Sequence, residues 1–180
     1  MPVHRARRLT EAGTARGTAV SPIGTLILEA SDAGLRRILL PNAASPSGVA
    51  PVGADSTEAL RSADRQLGEY FAGSRRHFDL ELAPVGTPFQ RSVWFALADI
   101  PYAGTISYAE LAARVGRPSA FRAVGQANGA NPLPIVLPCH RVIASGGGLG
   151  GYSGGLDVKR QLLDLERSVF AGRAPARLAV

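Results

Sequence analysis

Asn131-Pro132-Leu133-Pro134-Ile135-Val136-Leu137-Pro138-Cys139-His140-Arg141-Val142 is the stretch on which the reading of this chain turns. It holds the only cysteine of the 180 residues. Three prolines fix φ at three points, so the backbone leading into the thiol is stiff. An imidazole and a guanidinium follow at once, and a cationic neighbourhood lowers a thiol pKa toward the nucleophilic thiolate. A lone cysteine is more often an inert, buried, small hydrophobe. The rigid approach and the ionisable flank point to chemistry at Cys139 instead.

A single cysteine excludes an intramolecular disulfide and a Cys-cluster zinc site, and it fits a reducing compartment, so a cytoplasmic location is expected. The length suits one large domain or two small ones. With 46% hydrophobic residues the chain can bury a core. No apolar run is long enough for a membrane span. Residues 1–18 contain Arg5, Arg7, Arg8 and Arg16 but no apolar signal-peptide core. They read as a solvated tail in preference to a transit peptide. The net charge is +6, and Lys159 is the only lysine. Residues 1–85 carry 10 basic and 9 acidic side chains, whereas residues 86–180 carry 10 and 5. A polyanion would therefore engage the second half. A merely solvated surface explains the same bias equally well.

The spacing predicts strands over 19–30 and 34–40, joined by the turn signal Ser31-Asp32-Ala33-Gly34. Residues 41–54 read as a loop. A helix is expected from Asp55, with Glu58 as return partner and Leu60, Ala63, Leu67, Tyr70 and Phe71 inward. Gly73 ends it. His77-Phe78-Asp79-Leu80-Glu81-Leu82 alternates and predicts a half-buried strand. These elements make an α/β unit over 19–83. Ala83-Pro84-Val85-Gly86 is the expected boundary to a helical unit over 84–170, with a tail over 171–180.

Thr87-Pro88-Phe89-Gln90 and Ser107-Tyr108-Ala109-Glu110 are helix-start signals. The first helix carries Phe89, Val93, Trp94 and Leu97. The second runs through Val115 and breaks at Gly116. Pro118 and Ser119 open the next, with Phe121, Val124 and Ala127. Two short helices about a Gly turn fit a helix-turn-helix or an ordinary helical hairpin equally well. The glycine run over 145–155 lacks a GKS/GKT or GxGxxG pattern, so it suits a wing or a close backbone approach better than a nucleotide loop. Asp157 is expected to cap a last helix with Val158, Leu162, Leu165 and Val169 inward.

The chain resembles the O6-alkylguanine-DNA alkyltransferases, the methylated-DNA–protein-cysteine methyltransferases, from about Ser21 to Glu166. The likeness is carried by Pro-Cys-His-Arg-Val at 138–142, Ala-Asn-Gly-Ala-Asn-Pro at 127–132 and Arg-Ala-Val-Gly at 122–125. Ile-Ser-Tyr at 106–108 and Gly-Tyr-Ser-Gly-Gly-Leu at 151–156 complete it. Five such pieces in one order are highly specific. The resemblance implies a ribonuclease-H-like α/β N-terminal domain and a mainly helical C-terminal domain with helix-turn-helix and wing. It also implies direct-reversal repair, a single-turnover transfer of an alkyl group from O6 of a flipped guanine in double-stranded DNA to Cys139. No cofactor is implied, because the electrophile is already in the DNA. No metal is implied either, because the cysteines of the zinc site in some relatives are absent. A monomer is expected.

The resemblance implies a role for each matching residue. Cys139 is the nucleophile and His140 the base, acting through a bound water. Glu166 hydrogen-bonds the imidazole, fixing its tautomer and favouring its cation. Asn131 fixes the turn before the thiol, and Tyr108 meets the guanine edge. Tyr152, Ser153, Pro134 and the carbonyl of Val142 border the guanine. Arg122 fills the vacated stack, with Phe121, Ala123, Gly125 and Asn128 on the DNA side. Phe121 departs from the alanine often found there and reads as a wedge or as an inward-packed ring. Arg141 reads as structural. A non-reacting lesion binder or a DNA-binding regulator of the same fold is the alternative, and an unrelated cysteine hydrolase is a further one.

Overall fold

Ser21-Pro22-Ile23-Gly24 is a turn, so the apolar stretch around it folds back on itself. In the computed structural model, which describes residues 13–41 and 48–174, strand β1 (Ala15–Ser21) pairs antiparallel with β2 (Gly24–Ser31). Gly24 takes φ +111°, and the Ser21 hydroxyl donates to its carbonyl. One expected strand over 19–30 is therefore two. β1 also begins at Ala15, inside the stretch expected as a tail over 1–18. The rest of that tail that precedes residue 13, residues 42–47 of the expected loop and residues 175–180 of the second tail lie outside the described residues.

β2 pairs antiparallel with β3 (Gly34–Leu39), giving a sheet of order β1-β2-β3. One face packs Leu26, Leu28 and Ala30 into the core. Helix α1 (Glu58–Phe71) lies on the sheet and buries Leu60, Ala63, Leu67, Tyr70 and Phe71. Its cap is Thr57, not Asp55, because the Thr57 hydroxyl accepts from the Leu60 amide.

The expected strand over 77–82 is not a ladder strand. Phe78, Leu80 and Leu82 do alternate as half-buried with exposed neighbours. Its pairing, however, is one bridge from Leu82 to Leu35. The Gln66 side chain replaces part of the ladder, donating to the Asp79 carbonyl and accepting from the Asp79 amide. Backbone bonds from Leu35 to Glu81 and from Ala83 to Leu35 close the outer edge of β3. Gly34 is required there: a Cβ would lie 2.3 Å from the Glu81 carbonyl oxygen, at φ +125°.

The helical half opens with α2 (Pro88–Leu97), where Thr87 and Gln90 form the reciprocal capping box and Pro88 needs no amide partner. Strand β4 (Ile106–Ser107) leads into α3 (Tyr108–Arg114), capped by the Ser107–Glu110 box. Helix α4 (Phe121–Gly129) starts later than Pro118, because residues 117–120 are held as a turn by an Ala120-to-Arg117 bond. Its cap, Ala120, offers no side-chain acceptor. α3 and α4 pack together and both touch α2. β5 (Val142–Ile143) pairs parallel with β4, placing Val142 opposite Ile106. Helix α5 (Leu156–Phe170) is capped by Gly155 at φ +88°, with Asp157 inside its first turn. Val158 is only half-buried, and Lys159 takes the interior position instead. Among the described residues no helix is long and apolar enough to cross a membrane.

Candidate active site

The apolar, proline-rich run ends in a single 3-10 turn, Cys139–Arg141. Asn131 holds the run in shape: its side-chain amide donates to the Leu137 carbonyl at 2.7 Å, and its oxygen accepts from the Leu133 amide at 3.0 Å. Inside this loop Ile135 adopts φ +75°. A β-branched residue in that region is strained, and such strain persists only where surrounding contacts over-determine it. The loop is therefore forced into one shape, and that shape delivers the thiol.

Successive residues of a 3-10 turn are rotated by about 120°, so Cys139 and His140 project in different directions. Both are buried. Burial pushes the Cys139 thiol up to about 11, against the lowering influence of the Asn131 side chain and the Lys159 charge. The resting sulfur is a neutral thiol. The low-pKa thiolate expected from its basic flank is overturned, because desolvation outweighs the nearby charges.

His140 reaches Glu166 on α5. Its Nε2 lies 2.8 Å from Glu166 Oε1, with both side chains fully buried. Burial lowers the imidazole pKa, opposed by the hydrogen bond and charge of Glu166 and assisted by Arg141 and Lys159. The expected favouring of the cation is therefore reversed, and His140 is a neutral imidazole. Nε2–H donates to the carboxylate, which leaves Nδ1 as the basic nitrogen, buried and without a hydrogen-bond partner among the described residues.

Glu166 is a hub. Oε1 also accepts from the Tyr70 hydroxyl at 2.8 Å and from Arg141 Nη2 at 2.9 Å. Oε2 accepts from Arg141 Nε and from the Ala103 amide, both at 3.0 Å. Burial works to raise this carboxyl, but the His140 and Arg141 contacts prevail and hold it down at about 2. Arg141 thus neutralises the imidazole's partner, and its Nη1 donates to the Ile100 carbonyl at 2.7 Å. Ala103 takes φ +62° to aim its amide. Tyr70 comes from α1, so the N-terminal domain completes the hub.

Lys159 was not singled out by sequence reasoning. It is fully buried, and its Nζ donates to the carbonyls of Val142 (2.7 Å), Leu149 and Gly151 (3.4 Å). Burial lowers its pKa to about 8. The signal was present: Lys159, Leu162, Leu163 and Glu166 stand at i, i+3, i+4 and i+7, two ionisable residues in one interior stripe. The ammonium ties the glycine-rich segment to the strand that follows Cys139. It also occupies the Val142 carbonyl assigned to a guanine amino group, leaving that oxygen only its second lone pair.

Tyr108 is half-buried at the start of α3, and its hydroxyl lies 3.5 Å from the Gly151 carbonyl. A Cβ on Gly150 would come within 2.9 Å of that hydroxyl, so the segment crosses Tyr108 closely. Burial, with a smaller contribution from Cys139, raises the Tyr108 phenol. Tyr152 lies beside the same thiol: burial and then Cys139 raise its phenol well above the ordinary value. Pro134 is buried and Ser153 is exposed.

On α4, Phe121, Arg122 and Ala123 are exposed, and Gly125 is half-buried with its Cα side toward the Tyr108 ring. Phe121 does not pack inward: the Arg122 guanidinium stands 5.6 Å from its ring centroid. Asn128 is buried, so it does not share that exposed face.

Two family models cover the chain: a 6-O-methylguanine DNA methyltransferase ribonuclease-like domain over 15–84, and the DNA binding domain of the same proteins over 88–168. A methylated-DNA–protein-cysteine methyltransferase of Methanosarcina acetivorans is 47% identical over 148 residues, 82% of this chain and 95% of its own. The constitutive enzyme of Bacillus subtilis is 46% identical over 154 residues, 83% of this chain and 93% of its own. The crystal structure of Mycobacterium tuberculosis OGT in complex with DNA superposes with a TM-score of 0.79 at 45% identity, over 91% of this chain and 96% of that one. Fold and site together define a two-domain protein that accepts an alkyl group on a cysteine. The chain belongs to the methylated-DNA–protein-cysteine methyltransferase family, and its activity is direct-reversal DNA repair by alkyl transfer.

Two outcomes follow from this geometry. The depressed Glu166 carboxyl contributes stability that is complete above its ordinary value of 4.5 and is lost as pH falls through about 2. Urea unfolding of wild type and Glu166→Gln will show a large gap at neutral pH that narrows steadily through this acid window. Lys159→Met removes one cation from three carbonyls, which are costly to leave unpaired. Transfer from free O6-benzylguanine will fall at least about tenfold (about 1.4 kcal/mol) in a chain whose circular dichroism is unchanged.

Proposed function

We propose that Cys139 Sγ takes the alkyl group from O6 of a guanine extruded from duplex DNA, once per molecule and irreversibly. The observation that carries this reading is the pairing of two neutral groups. A buried thiol held by the Asn131 loop adjoins an imidazole whose Nε2 is committed to an ionised carboxylate and whose Nδ1 is unclaimed. A neutral thiol needs a base, and a neutral imidazole fixed in one tautomer is that base.

Because the two side chains diverge, the proton passes from sulfur to Nδ1 through one bound water, a fitting partner for a buried unpaired nitrogen. Glu166 and Arg141 hold the imidazolium that forms. The S–C bond forms as the C–O6 bond breaks, and the departing guanine takes up a proton to balance the one removed from sulfur. The thioether is a poor leaving group, so no turnover follows. Tyr108, Tyr152, Ser153 and Pro134 line the guanine site, and the glycine-rich segment held by Lys159 forms its lip. Arg122 enters the vacated stack, with Phe121 beside it as a wedge and the small Ala123 and Gly125 allowing close approach. The protein acts as a monomer in the cytoplasm.

Incubation with duplex DNA carrying O6-methylguanine will leave one methyl group on Cys139 by intact-mass spectrometry, without turnover. Cys139→Ala will bind the same duplex and gain no mass. A binding-only protein would show no adduct in wild type, and a hydrolase would show multiple turnovers. Arg122→Ala will slow repair of duplex more than transfer from free O6-benzylguanine, since only the duplex requires extrusion; equal losses in the two assays remove the stacking role.

A further inference from the structure

A cleft of about 960 Å³ opens between the sheet and α2, and none of Cys139, His140 or Glu166 lines it. Its sheet wall carries Arg16, Glu29, Arg36 and Arg37, and its helical wall carries Gln90 and Trp94. The strand register explains the charge row. Arg16 is opposite Glu29 on β1 and β2, and Glu29 is opposite Arg37 on β3.

Consecutive residues of a regular strand face opposite sides. Here the pairing shifts between Glu29 and Ala30: Glu29 faces Arg37 and Ala30 faces Leu35, so Arg36 is the extra residue of a bulge. Bulges re-aim side chains. This one lets both Arg36 and Arg37 border the same cleft.

Among the described residues the cations outnumber the carboxylates. Arg16 pairs with Glu29 at 2.7 Å, and Glu29 is the only carboxylate among the lining residues. Arg36 reaches the Thr14 hydroxyl at 3.3 Å, which is not a counter-charge. Three guanidinium groups thus face one carboxylate, a net of +2 from the described residues of a concave site. Both walls are fixed, because the Ile38 amide of β3 donates to the Pro132 carbonyl at 2.8 Å, beside Asn131.

Guanidinium forks match phosphate oxygens two at a time, and the cleft falls within the roughly 300–1,000 Å³ of small-ligand sites. We propose that this interdomain cleft binds a phosphate-bearing anion, with Arg36 and Arg37 as its principal ligands. The shared chemistry is two adjacent phosphate groups, supplied by a nucleic-acid strand or by a free diphosphate. The site stands independently of the alkyl transfer at Cys139.

Trp94 is the only tryptophan of the chain and forms one wall, so its fluorescence reads occupancy. The full chain, titrated with inorganic pyrophosphate at constant ionic strength set by sodium chloride, will show a saturable change in Trp94 emission. Arg36→Gln with Arg37→Gln will weaken it at least tenfold with an unchanged circular dichroism spectrum. Glu29→Gln, which removes the opposing charge, will tighten it. A short undamaged single strand that displaces pyrophosphate identifies a nucleic acid as the source, and pyrophosphate binding without such competition identifies the free anion. A wild type with no saturable response, or a double variant that binds as wild type does, overturns the proposal.

Discussion

One buried carboxylate organises this protein. Glu166 accepts from His140, Arg141, Tyr70 and the Ala103 amide at once, from three separate parts of the chain. An ion in a dry interior is tolerated only when its charge and its lone pairs are matched. Arg141 supplies the charge, and the other three complete the hydrogen bonding. Removing any of them leaves a buried charge short of a partner. That is why the 3-10 turn, the bend at Ala103 and the docking of α1 occur together.

The same constraint links the two halves. Tyr70 reaches the hub from α1, and Arg141 stands 5.5 Å from the centroid of the Tyr102 ring, which is in turn edge-on to Tyr70. The N-terminal domain therefore contributes a buried contact to Glu166. Burial raises the Cys139 thiol and lowers the His140 imidazole, so both rest neutral, and the transfer proposed above moves a proton between them instead of starting from a standing thiolate. Lys159 has the complementary task on the same helix, two turns earlier. It fixes the glycine-rich segment through carbonyls, with no carboxylate paired to it among the described residues.

Much of this was legible in the residues. Pro138-Cys139-His140 marked the turn on which the proposed chemistry rests, and the capping boxes at Thr87 and Ser107 marked α2 and α3, because each is a local signal read over three or four residues. Glu166 came from the family resemblance; alone it reads as a solvated helix charge. Long-range partners stayed hidden. Tyr70 was assigned to the core by its helical spacing, correctly, but nothing local tells that its hydroxyl meets a carboxylate 96 positions away. Lys159 was missed because a charged residue is assigned outward by default. The turn at Pro22-Ile23 was missed because the apolar residues on both sides read as one strand. The segment over 77–82 alternates as a strand does, yet the Gln66 side chain takes bonds that a neighbouring strand would have made.

The proposed transfer requires a neutral His140 with its proton on the nitrogen that faces Glu166. Long-range proton–nitrogen NMR of the imidazole across pH reads both tautomer and charge. It will show the Nε2–H form at pH 7, with protonation only below the ordinary value of 6.5. An imidazolium at neutral pH, or a proton on Nδ1, contradicts it.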